Sequence, residues 1–379
     1  MSGRKITMLV VLMLCILAGA CWIYNERKQI TRYEDTVNAL QREITDLNVE
    51  IENLIAEAED LNRKMEDLLY LKDGVMYNGW LSVEGSRLVN THGESLQLRG
   101  VSSHGIMWYP EYGNYRAIMT TKEHGANVFR AAMYTTENGG YDENPKEALR
   151  TLKTIVENAL GADMYIIVDW HVLREENPNV YVEEAVLFFD EISRIYAEEP
   201  GVIYEICNEP NGDTGWDDIK KYAERVIPVI RANSPNALIL VGTPDYCVDI
   251  KEAADDPLPY ENIMYTYHYY AVYDQGGYDR KLSYAMEKGC AVFISEWGVG
   301  GTADRSEMDV LLEKADVFLD YLNENGISWV SWALSNKEER HSLIVPESAL
   351  LSNWTQEDLT LYGKFIFNRL EKGIKMEVK

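Results

Sequence analysis

Two segments, VIYEICNEPNG (residues 202–212) and AVFISEWGVG (residues 291–300), share one construction. Each begins with an apolar run typical of a buried strand, and each reaches a glutamate, Glu209 or Glu296, beside Asn, Trp and Gly. Charged side chains are rarely buried without a partner, so we expect these two at the open ends of their strands. The two segments therefore predict a pair of carboxylates at one edge of a sheet.

The chain around these segments alternates strand-type runs with helical patterns from about Asp73 onward. This alternation predicts an α/β fold, a closed parallel (β/α)8 TIM barrel in residues 73–379, entered through an N-terminal β-hairpin. Active sites of such barrels lie at the C-terminal ends of the strands, and Glu209 and Glu296 follow the fourth and seventh runs. The eight predicted strands are 96–102, 127–133, 165–171, 202–208, 237–243, 263–270, 292–297 and 327–334.

Other polar and aromatic side chains end the same strands. We expect them to meet at the mouth of the barrel, since a whole set at one end is hard to explain as solvated surface. Two carboxylates at such a mouth are what a retaining glycoside hydrolase needs, because one protonates the leaving oxygen while the other attacks the sugar carbon. The strand-end residues are Arg130, His171, Asn208, Glu209, His268, Tyr270, Glu296, Trp297 and Trp332.

A family resemblance rests on long motifs in a fixed order. They are LQLRGVSSHGIMWYP, NVFRAAMYT, YIIVDWHVL, VIYEICNEPNG, YTYHYYA, VFISEWG and WVSWALSNKEE. Over residues 78–372 the chain resembles glycoside hydrolase family 5, close to its bacterial endo-β-1,4-glucanase subfamily. The resemblance implies that Glu209 is the acid/base and Glu296 the nucleophile, that the reaction retains configuration, and that no metal or cofactor takes part.

The resemblance also implies supporting roles. Arg130 is expected to keep Glu296 ionised, Tyr270 to orient it, and Asn208 to bind the sugar 2-hydroxyl. Expected to bond hydroxyls or to position the carboxylates are His104, His171 and His268. Expected to grip the non-reducing side of the substrate are Trp108, Tyr134, Trp332, Lys337 and Glu339. Trp297, next to the nucleophile, is expected to be a packing residue.

The leaving-group side departs from the family pattern. Where relatives commonly carry a Trp after the fifth strand, this chain has Tyr246, and the loop after the sixth strand reads AVYDQGGYD. Cys207 stands where Ala is more usual, a small change that we expect to be tolerated. The preference among cellulose, mixed-linkage glucan and xyloglucan is left open by these differences.

Composition excludes some functions. A net charge of −26 argues against nucleic acid, since binding phosphates requires clustered Lys and Arg. The 25 Tyr and 9 Trp suit surfaces that stack on sugar rings, although composition alone favours ordinary core and surface filling. Cys207, Cys247 and Cys290 are widely spaced and are interpreted as small buried hydrophobes. No spacing typical of a metal site occurs, and we expect none bound.

Residues 6–24, ITMLVVLMLCILAGACWIY, form an uncharged apolar run close to the roughly 20 residues that cross a bilayer. Arg4 and Lys5 precede it, which predicts a single-pass anchor (residues 1–24) with the N-terminus in the cytoplasm and the remainder outside the cell. Two alternatives stay open: cleavage at the A-x-A pattern of residues 18–20, giving a secreted protein, and a lipid anchor on Cys21. All three export the rest of the chain.

Residues 25–72 carry an apolar heptad repeat, with no Pro or Gly between 25 and 73. A strict 3.5-residue period predicts a left-handed coiled-coil stalk, roughly 65 Å long, and therefore a homo-oligomer. Two parallel strands are favoured, but Ile55 and Leu69 widen the stripe and keep a trimer open; a single helix packed on the next domain is the alternative. The repeat comprises Ile30, Tyr33, Val37, Leu40, Ile44, Leu47, Ile51, Leu54, Ala58, Leu61, Met65 and Leu68.

The leading hypothesis is a membrane-anchored, extracytoplasmic endo-β-1,4-glucanase that acts on a β-glucan polysaccharide and is displayed on a coiled coil. One alternative keeps the enzyme class and changes the polymer to mannan or xylan. A second is a silent glycan-binding surface protein, which the intact Glu209, Glu296 and Arg130 oppose. A third is a scaffold that works through its stalk, with the barrel as passenger.

Overall fold

The structure is a computed structural model. It describes the backbone of residues 3–301 and 307–376, and the side chains of residues 8–61, 64, 72–301 and 307–372. Contacts divide the chain into two compact units, residues 1–68 and residues 69–379. Each unit is described by itself.

The first unit is helical throughout its described backbone, within helix α1 (Gly3–Lys72). One window of this helix is long and apolar enough to cross a membrane, and its side chains are exposed. The heptad side chains from Ile30 to Leu61 are also largely exposed, for example Leu47 at 51%. Met65 and Leu68 of the predicted repeat, and Leu69 beside it, lie outside the described side chains.

The second unit contains the alternating strands and helices. Its strands are β1 (Ser82–Glu84), β2 (Arg87–Val89), β3 (Arg99–Ser103), β4 (Val128–Tyr134), β5 (Tyr165–His171), β6 (Val202–Glu205), β7 (Ile239–Val241), β8 (Ile263–Thr266), β9 (Tyr269–Tyr270), β10 (Val292–Gly298) and β11 (Ser328–Leu334). Its helices are α2 (Val75–Asn78), α3 (Tyr115–Glu123), α4 (Pro145–Gly161), α5 (Val182–Ile195), α6 (Trp216–Asn233), α7 (the short turn Pro244–Cys247), α8 (Lys251–Asp255), α9 (Tyr278–Glu287), α10 (Met308–Glu324) and α11 (Leu361–Met376).

Eight parallel strands of the described chain close into a barrel in the order β3, β4, β5, β6, β7, β8, β10, β11, with β11 pairing back to β3. The predicted (β/α)8 barrel is confirmed. The short β9 pairs with the end of β10 and continues the line of β8. Strand β6 ends at Glu205, earlier than predicted. Its regular pairing with β5 stops there, and beyond it the amide of Asn208 donates to the Trp170 carbonyl at 3.2 Å.

Alternation along each strand determines which side chains enter the barrel. The interior core is apolar at the start of the strands, where Val128, Tyr165, Ile167 and Phe293 pack together. Two residues further along, the same face carries polar groups: Arg130 follows Val128 on β4, and Asp169 and His171 follow Ile167 on β5. The second, larger core lies between the outer faces of the strands and the helices. The apolar base thus positions a polar layer at the C-terminal ends of the strands.

An antiparallel hairpin of β1 and β2 precedes the first barrel strand. Its turn contains Gly85, whose φ of +64° is readily adopted only by glycine. Leu81 and Leu88 are buried and belong to the same interior cluster as Val128. The hairpin therefore covers the apolar N-terminal end of the barrel and leaves the opposite end open.

Candidate active site

Glu296, on β10, is held at both carboxylate oxygens. Its Oε2 lies 3.0 Å from Nη1 of Arg130, and its Oε1 accepts a hydrogen bond of 2.7 Å from the Tyr270 hydroxyl. The side chain is 6% exposed. A charge-assisted bond on one oxygen and a phenol on the other fix the orientation of the carboxylate.

Arg130 is the centre of the polar layer. Fully buried, it contacts three carboxylates: Glu296, Glu205 at 2.6 Å from Nε, and Asp169 at 2.9 Å from Nη2. Its Nη2 also donates to Oδ1 of Asn208 at 2.7 Å. Burial disfavours the guanidinium cation, but the three carboxylates outweigh burial and raise the pKa of Arg130. The cation is therefore permanent, and it fixes four side chains at once.

Glu209 occupies a different environment from Glu296. Its Oε1 lies 2.8 Å from Nδ1 of His268, whose Nε2 lies 3.0 Å from Oγ of Ser295. The Ser295 hydroxyl donates to Glu205 at 2.6 Å, so its oxygen is left to accept from His268 Nε2–H. Burial lowers the pKa of His268 to about 4, and the neutral ring with Nε2–H presents a bare Nδ1 to Glu209. That bare nitrogen accepts a hydrogen bond from the protonated carboxyl group of Glu209.

Burial raises the pKa of Glu209 to about 8; Arg130 opposes the shift, while Asp169 and Glu205 add to it. Desolvation is the largest cause, since the charged form of a buried carboxyl loses its water. At neutral pH Glu209 is thus protonated, as its contact with His268 also requires.

Asn208 and His171 form a third part of the site. The Asn208 amide, fully buried, donates to the Val172 carbonyl at 3.2 Å and lies 3.2 Å from Nε2 of His171. Nδ1 of His171 lies 2.6 Å from Asp169. With its oxygen on Arg130, the Asn208 amide has one defined orientation. Its nitrogen is therefore the donor end of the side chain, in contact with the Val172 carbonyl and His171.

Aromatic rings line one side of the mouth. Trp108 and Tyr134 have ring centroids 4.7 Å apart, Tyr134 and His171 4.0 Å, and His171 and Trp332 5.5 Å. Trp108 is 39% exposed whereas Trp332 is only 5% exposed. Trp332 therefore forms the floor of this side, and Trp108 is the open face against which a sugar ring can stack.

A charged cluster adjoins these rings. Lys337 lies 2.7 Å from Glu339 and 3.1 Å from Nε2 of His104, and His341 lies 3.1 Å from the other oxygen of Glu339. Burial opposes ionisation of Glu339, but the contacts with His341, Lys337 and His104 outweigh it and lower its pKa to about 2. The site therefore offers a fixed carboxylate and an ammonium group to hydroxyls on this side.

A cavity of about 410 Å³ lies on the other side of Glu209. Tyr246, 47% exposed, and Tyr273, 74% exposed, line it together with Val248 and Tyr270. Tyr273 belongs to the AVYDQGGYD loop, which follows the sixth predicted strand. The cavity therefore presents aromatic surface beside Glu209, opposite the Trp108 side.

Glu209, His268 and Glu296 form the one group of three close metal-ligand types among the described side chains; the atoms that would bind lie within 4.8 Å of one another. The Arg130 cation, 3.0 Å from Glu296, opposes a second cation there. Trp297 is fully buried against Trp329 and Tyr362, so it is a packing residue as predicted. Cys207, Cys247 and Cys290 are buried and unpaired, also as predicted.

Sequence reasoning missed five residues that the structure brings to the site. Asp169 and Glu205 left a signal, since each is an acid inside an otherwise apolar strand, YIIVDWH or VIYEICN, where an unpaired charge would be costly. Ser295, Tyr273 and His341 left none, because small polar and aromatic residues are common in strands and loops.

Known proteins resemble this chain over its barrel. The family described as Cellulase (glycosyl hydrolase family 5) matches residues 89–338. An endoglucanase of Clostridium saccharobutylicum is 44% identical over 292 residues, which cover 76% of this chain and 64% of the relative. Endoglucanase A of Butyrivibrio fibrisolvens is 44% identical over 303 residues, covering 78% of this chain and 70% of the relative. The chain thus spans about two thirds of the length of these relatives.

A solved structure extends the comparison. The catalytic domain of Thermobifida fusca endoglucanase Cel5A, in complex with cellotetraose, superposes with a TM-score of 0.73 at 32% identity, covering 78% of this chain and 99% of that domain. The family match spans well over half of the residues of this chain, and the superposition covers 78% of them. The chain belongs to glycosyl hydrolase family 5.

Proposed function

We propose that the chain is a retaining endo-β-1,4-glucanase in which Glu209 is the acid/base and Glu296 the nucleophile. One observation carries the proposal: a carboxylate oxygen of Glu209 and one of Glu296 lie within 4.8 Å of each other at the open end of the barrel. Retaining enzymes keep their two carboxyl groups ~5–5.5 Å apart, too close for a water between nucleophile and sugar. Glu209 is protonated at neutral pH, as an acid must be, and Glu296 is oriented by Arg130 and Tyr270, as a nucleophile must be.

The first step forms a glycosyl ester. Glu296, oriented by Arg130 and Tyr270, attacks the anomeric carbon, and the bond from that carbon to the leaving oxygen breaks. Glu209, protonated at neutral pH because its pKa is about 8, delivers its proton to that oxygen. The leaving sugar departs as a neutral alcohol, and Glu209 is left ionised.

The second step reverses the roles of acid and base. Conversion of Glu296 to an ester removes one negative charge while the Arg130 cation remains, so an ionised Glu209 is tolerated beside it. Glu209 takes a proton from water, the water oxygen attacks the anomeric carbon, and Glu296 leaves as a carboxylate. Two inversions at that carbon give net retention.

Asn208 and His171 support the charge that develops on the sugar. The Asn208 amide nitrogen is the donor assigned to the 2-hydroxyl, a contact that strengthens as oxocarbenium character grows. Its oxygen is committed to Arg130 at 2.7 Å, which makes the amide a preorganised donor. His171, itself held by Asp169 at 2.6 Å, lies 3.2 Å from the amide nitrogen.

Sugars of the non-reducing side are assigned to the rings of Trp108, Tyr134 and Trp332, with hydroxyls bound by His104, Lys337 and Glu339. The leaving sugar is assigned to the cavity of Tyr246 and Tyr273. An aromatic face on each side of the scissile bond suits internal cleavage of a chain, because both flanking sugars have a surface to stack on.

Several β-glycans have the backbone that such a cleft accepts. The curated relatives are named endoglucanases, and the Thermobifida fusca domain binds cellotetraose, which favours a β-1,4-glucan. Mixed-linkage glucan, xyloglucan, mannan and xylan are the alternatives. Initial rates of reducing-sugar release on this panel identify the polymer, and a highest specificity on mannan or xylan would replace the glucan assignment.

Azide rescue tests the acid/base role. With 2,4-dinitrophenyl β-cellobioside, whose leaving group needs no proton, Glu209→Ala should still form the ester but hydrolyse it slowly. Azide should then accelerate turnover and give β-cellobiosyl azide, since azide needs no general base. Glu191→Ala, an exposed glutamate on α5, is the control and should behave as the unmodified chain. An α-configured azide, or no acceleration, would remove Glu209 from this role.

The N-terminal unit is proposed to display the enzyme. We infer that residues 1–24 anchor the chain in the cell membrane, with the barrel extracytoplasmic, and that residues 25–72 pair with a second copy as a coiled coil. The exposed apolar window of α1 and the unbroken heptad repeat support this proposal. A secreted or lipid-anchored form is the alternative, and N-terminal sequencing of the mature protein distinguishes the three.

A further inference from the structure

The turn that follows β7 has an unusual backbone. Asp245, Tyr246 and Cys247 have φ angles of +55°, +56° and +61°, so three successive non-glycine residues lie in the left-handed region. L-residues avoid this region because Cβ crowds the backbone carbonyl oxygen. A run of three persists only where surrounding contacts hold it, and such positions are often found at active sites.

The side chain of Cys247 supplies those contacts. It is fully buried, and its Sγ donates to the carbonyl of Asn208 at 2.8 Å. The same sulfur lies 3.1 Å from Oγ1 of Thr266 and accepts from the amide of Thr243 at 3.4 Å. Burial raises the pKa of the thiol well above its usual value, so the sulfur keeps its proton and remains a donor.

The backbone of the turn is tied to the catalytic strands as well. The carbonyl of Cys247 accepts from the amide of His268 at 3.0 Å, and the amide of Tyr246 donates to the carbonyl of Pro210 at 3.0 Å. Asn208 and Pro210 flank Glu209 in sequence, and His268 is its hydrogen-bond partner. The turn is thus fixed on both sides to the residues that hold Glu209.

The turn presents Tyr246 to the leaving-group cavity. Tyr246 lines that cavity of about 410 Å³ beside Glu209 and across from Tyr273. Its neighbour Cys247 points into the protein, so the position of the ring relative to Glu209 depends on the same backbone that Cys247 holds. A shift of the turn would move the stacking surface without touching Glu296.

We propose that Cys247 is a positioning residue for the leaving-group side, which fixes the left-handed turn and so sets Tyr246 at stacking distance from the departing sugar beside Glu209. This inference rests on the proposed glucanase function. The proposal separates binding from chemistry. Contacts with the leaving sugar depend on Cys247, whereas attack by Glu296 on the anomeric carbon does not. Serine, which retains a donor of similar shape, should serve in its place, and alanine should not.

The test compares Cys247→Ala and Cys247→Ser in the full chain in detergent, with Cys290→Ala as the control. Cys290 is also a buried thiol, but it lies outside the site. Two substrates are used: cellotetraose, which places sugar in the leaving-group cavity, and β-cellobiosyl fluoride, which has no leaving sugar. Thermal unfolding of each variant verifies that it is folded.

Cys247→Ala should raise KM for cellotetraose roughly tenfold, a factor equivalent to about 1.4 kcal/mol, while kcat/KM for the fluoride changes less than about twofold. Cys247→Ser and Cys290→Ala should match the unmodified chain on both substrates. If Cys247→Ala does not fold, Thr266→Val, which removes the hydroxyl beside Sγ, takes its place with the same expectation.

Equal losses of kcat/KM for Cys247→Ala on both substrates would overturn the inference, because they would indicate a general structural defect. An unchanged KM for cellotetraose would also overturn it, because the thiol would then have no part in binding the leaving sugar. Failure of Cys247→Ser to retain the cellotetraose KM would also count against it. Failure of the unmodified chain to turn over either substrate would instead remove the proposed function, and the inference with it.

Discussion

Nδ1 of His268 lies 2.8 Å from Oε1 of Glu209, and the other nitrogen of the ring is committed to Ser295. Because Ser295 donates its own proton to Glu205, it accepts from His268 and so fixes one tautomer of the ring. That tautomer stabilises the protonated form of Glu209. Glu209 is therefore supported by a chain of three side chains that reaches back to Arg130.

Substitution of Ser295 should change the pH profile. In Ser295→Ala the ring can adopt the Nδ1–H tautomer, which donates to ionised Glu209 and lowers its pKa. The alkaline limb of kcat/KM on cellotetraose should move to lower pH, whereas Ser295→Thr, which keeps the hydroxyl, should leave it in place. If the alkaline limb does not move in Ser295→Ala, the tautomer of His268 does not control the pKa of Glu209.

The raised pKa of Glu209 also has a cost in stability. Between its ordinary value of 4.5 and the folded value of about 8, the folded state retains a proton that the unfolded state has lost, so stability falls as pH rises through this window. Glu209→Gln cannot ionise and escapes this loss. Its melting temperature should exceed that of the unmodified chain by more at pH 9 than at pH 5.

The measurement is thermal unfolding at both pH values, with Glu191→Gln as the exposed control. A difference between Glu209→Gln and the unmodified chain that is the same at pH 5 and pH 9 would show that Glu209 titrates normally in the folded state.

Arg130→Lys should damage both stability and activity. A lysine ammonium cannot reproduce the fork that contacts Glu205, Asp169 and Glu296 together, so at least one buried carboxylate loses its partner. Breaking a buried ion pair costs about 3–5 kcal/mol, and misplacing the nucleophile by an ångström can cost roughly 100-fold in rate. Urea unfolding and kcat/KM on cellotetraose measure the two effects.

The matched control is Arg225→Lys. Arg225 pairs with Glu183 at 2.8 Å on the surface, where both side chains are more than half exposed, so this change should have little effect on either quantity. Similar losses of stability and activity in Arg130→Lys and Arg225→Lys would mean that the buried contacts of Arg130 contribute no more than a surface ion pair.

The barrel, and the meeting of Glu209 and Glu296 at one end of it, could be predicted from sequence because the signals are local. Apolar runs of strand length alternate with helical periods, and a glutamate closes two of the runs, so topology alone brings Glu209 and Glu296 to one end. Arg130, Asn208 and Tyr270 follow from the same strand ends. Arg130 lies 3.0 Å from Glu296 and 2.7 Å from Asn208, and the Tyr270 hydroxyl donates to Glu296 at 2.7 Å.

The cause of the Glu209 pKa could not be predicted, because burial depends on residues distant in sequence. Asp169 and Glu205 lie within the strands, and only the closed barrel shows that both contact Arg130. The left-handed turn at Asp245–Cys247 contains no glycine, so the sequence lacks the usual mark of such a backbone. Its geometry is imposed by tertiary contacts.

The stalk proposal makes a prediction at the heptad seam. Leu47 occupies the seam and Val49, two residues on, the outer face, and both side chains are about half exposed in the single chain. Leu47→Asp should dissociate the full-length oligomer in detergent because it buries a charge in the seam, while Val49→Asp should not. Light scattering after size exclusion reads the mass. If Leu47→Asp and Val49→Asp have the same oligomeric mass, the coiled-coil proposal is wrong.

The most direct measurement of the central claim is covalent trapping of the full-length chain. A 2-deoxy-2-fluoro-β-cellobiosyl fluoride slows hydrolysis of the glycosyl ester more than its formation, so a retaining enzyme accumulates the adduct. Peptide mass mapping should place the fluorocellobiosyl group on Glu296, and Glu296→Gln should remain unlabelled. Label on any other residue, or steady hydrolysis of cellotetraose to the inverted anomer with no adduct, would contradict the account.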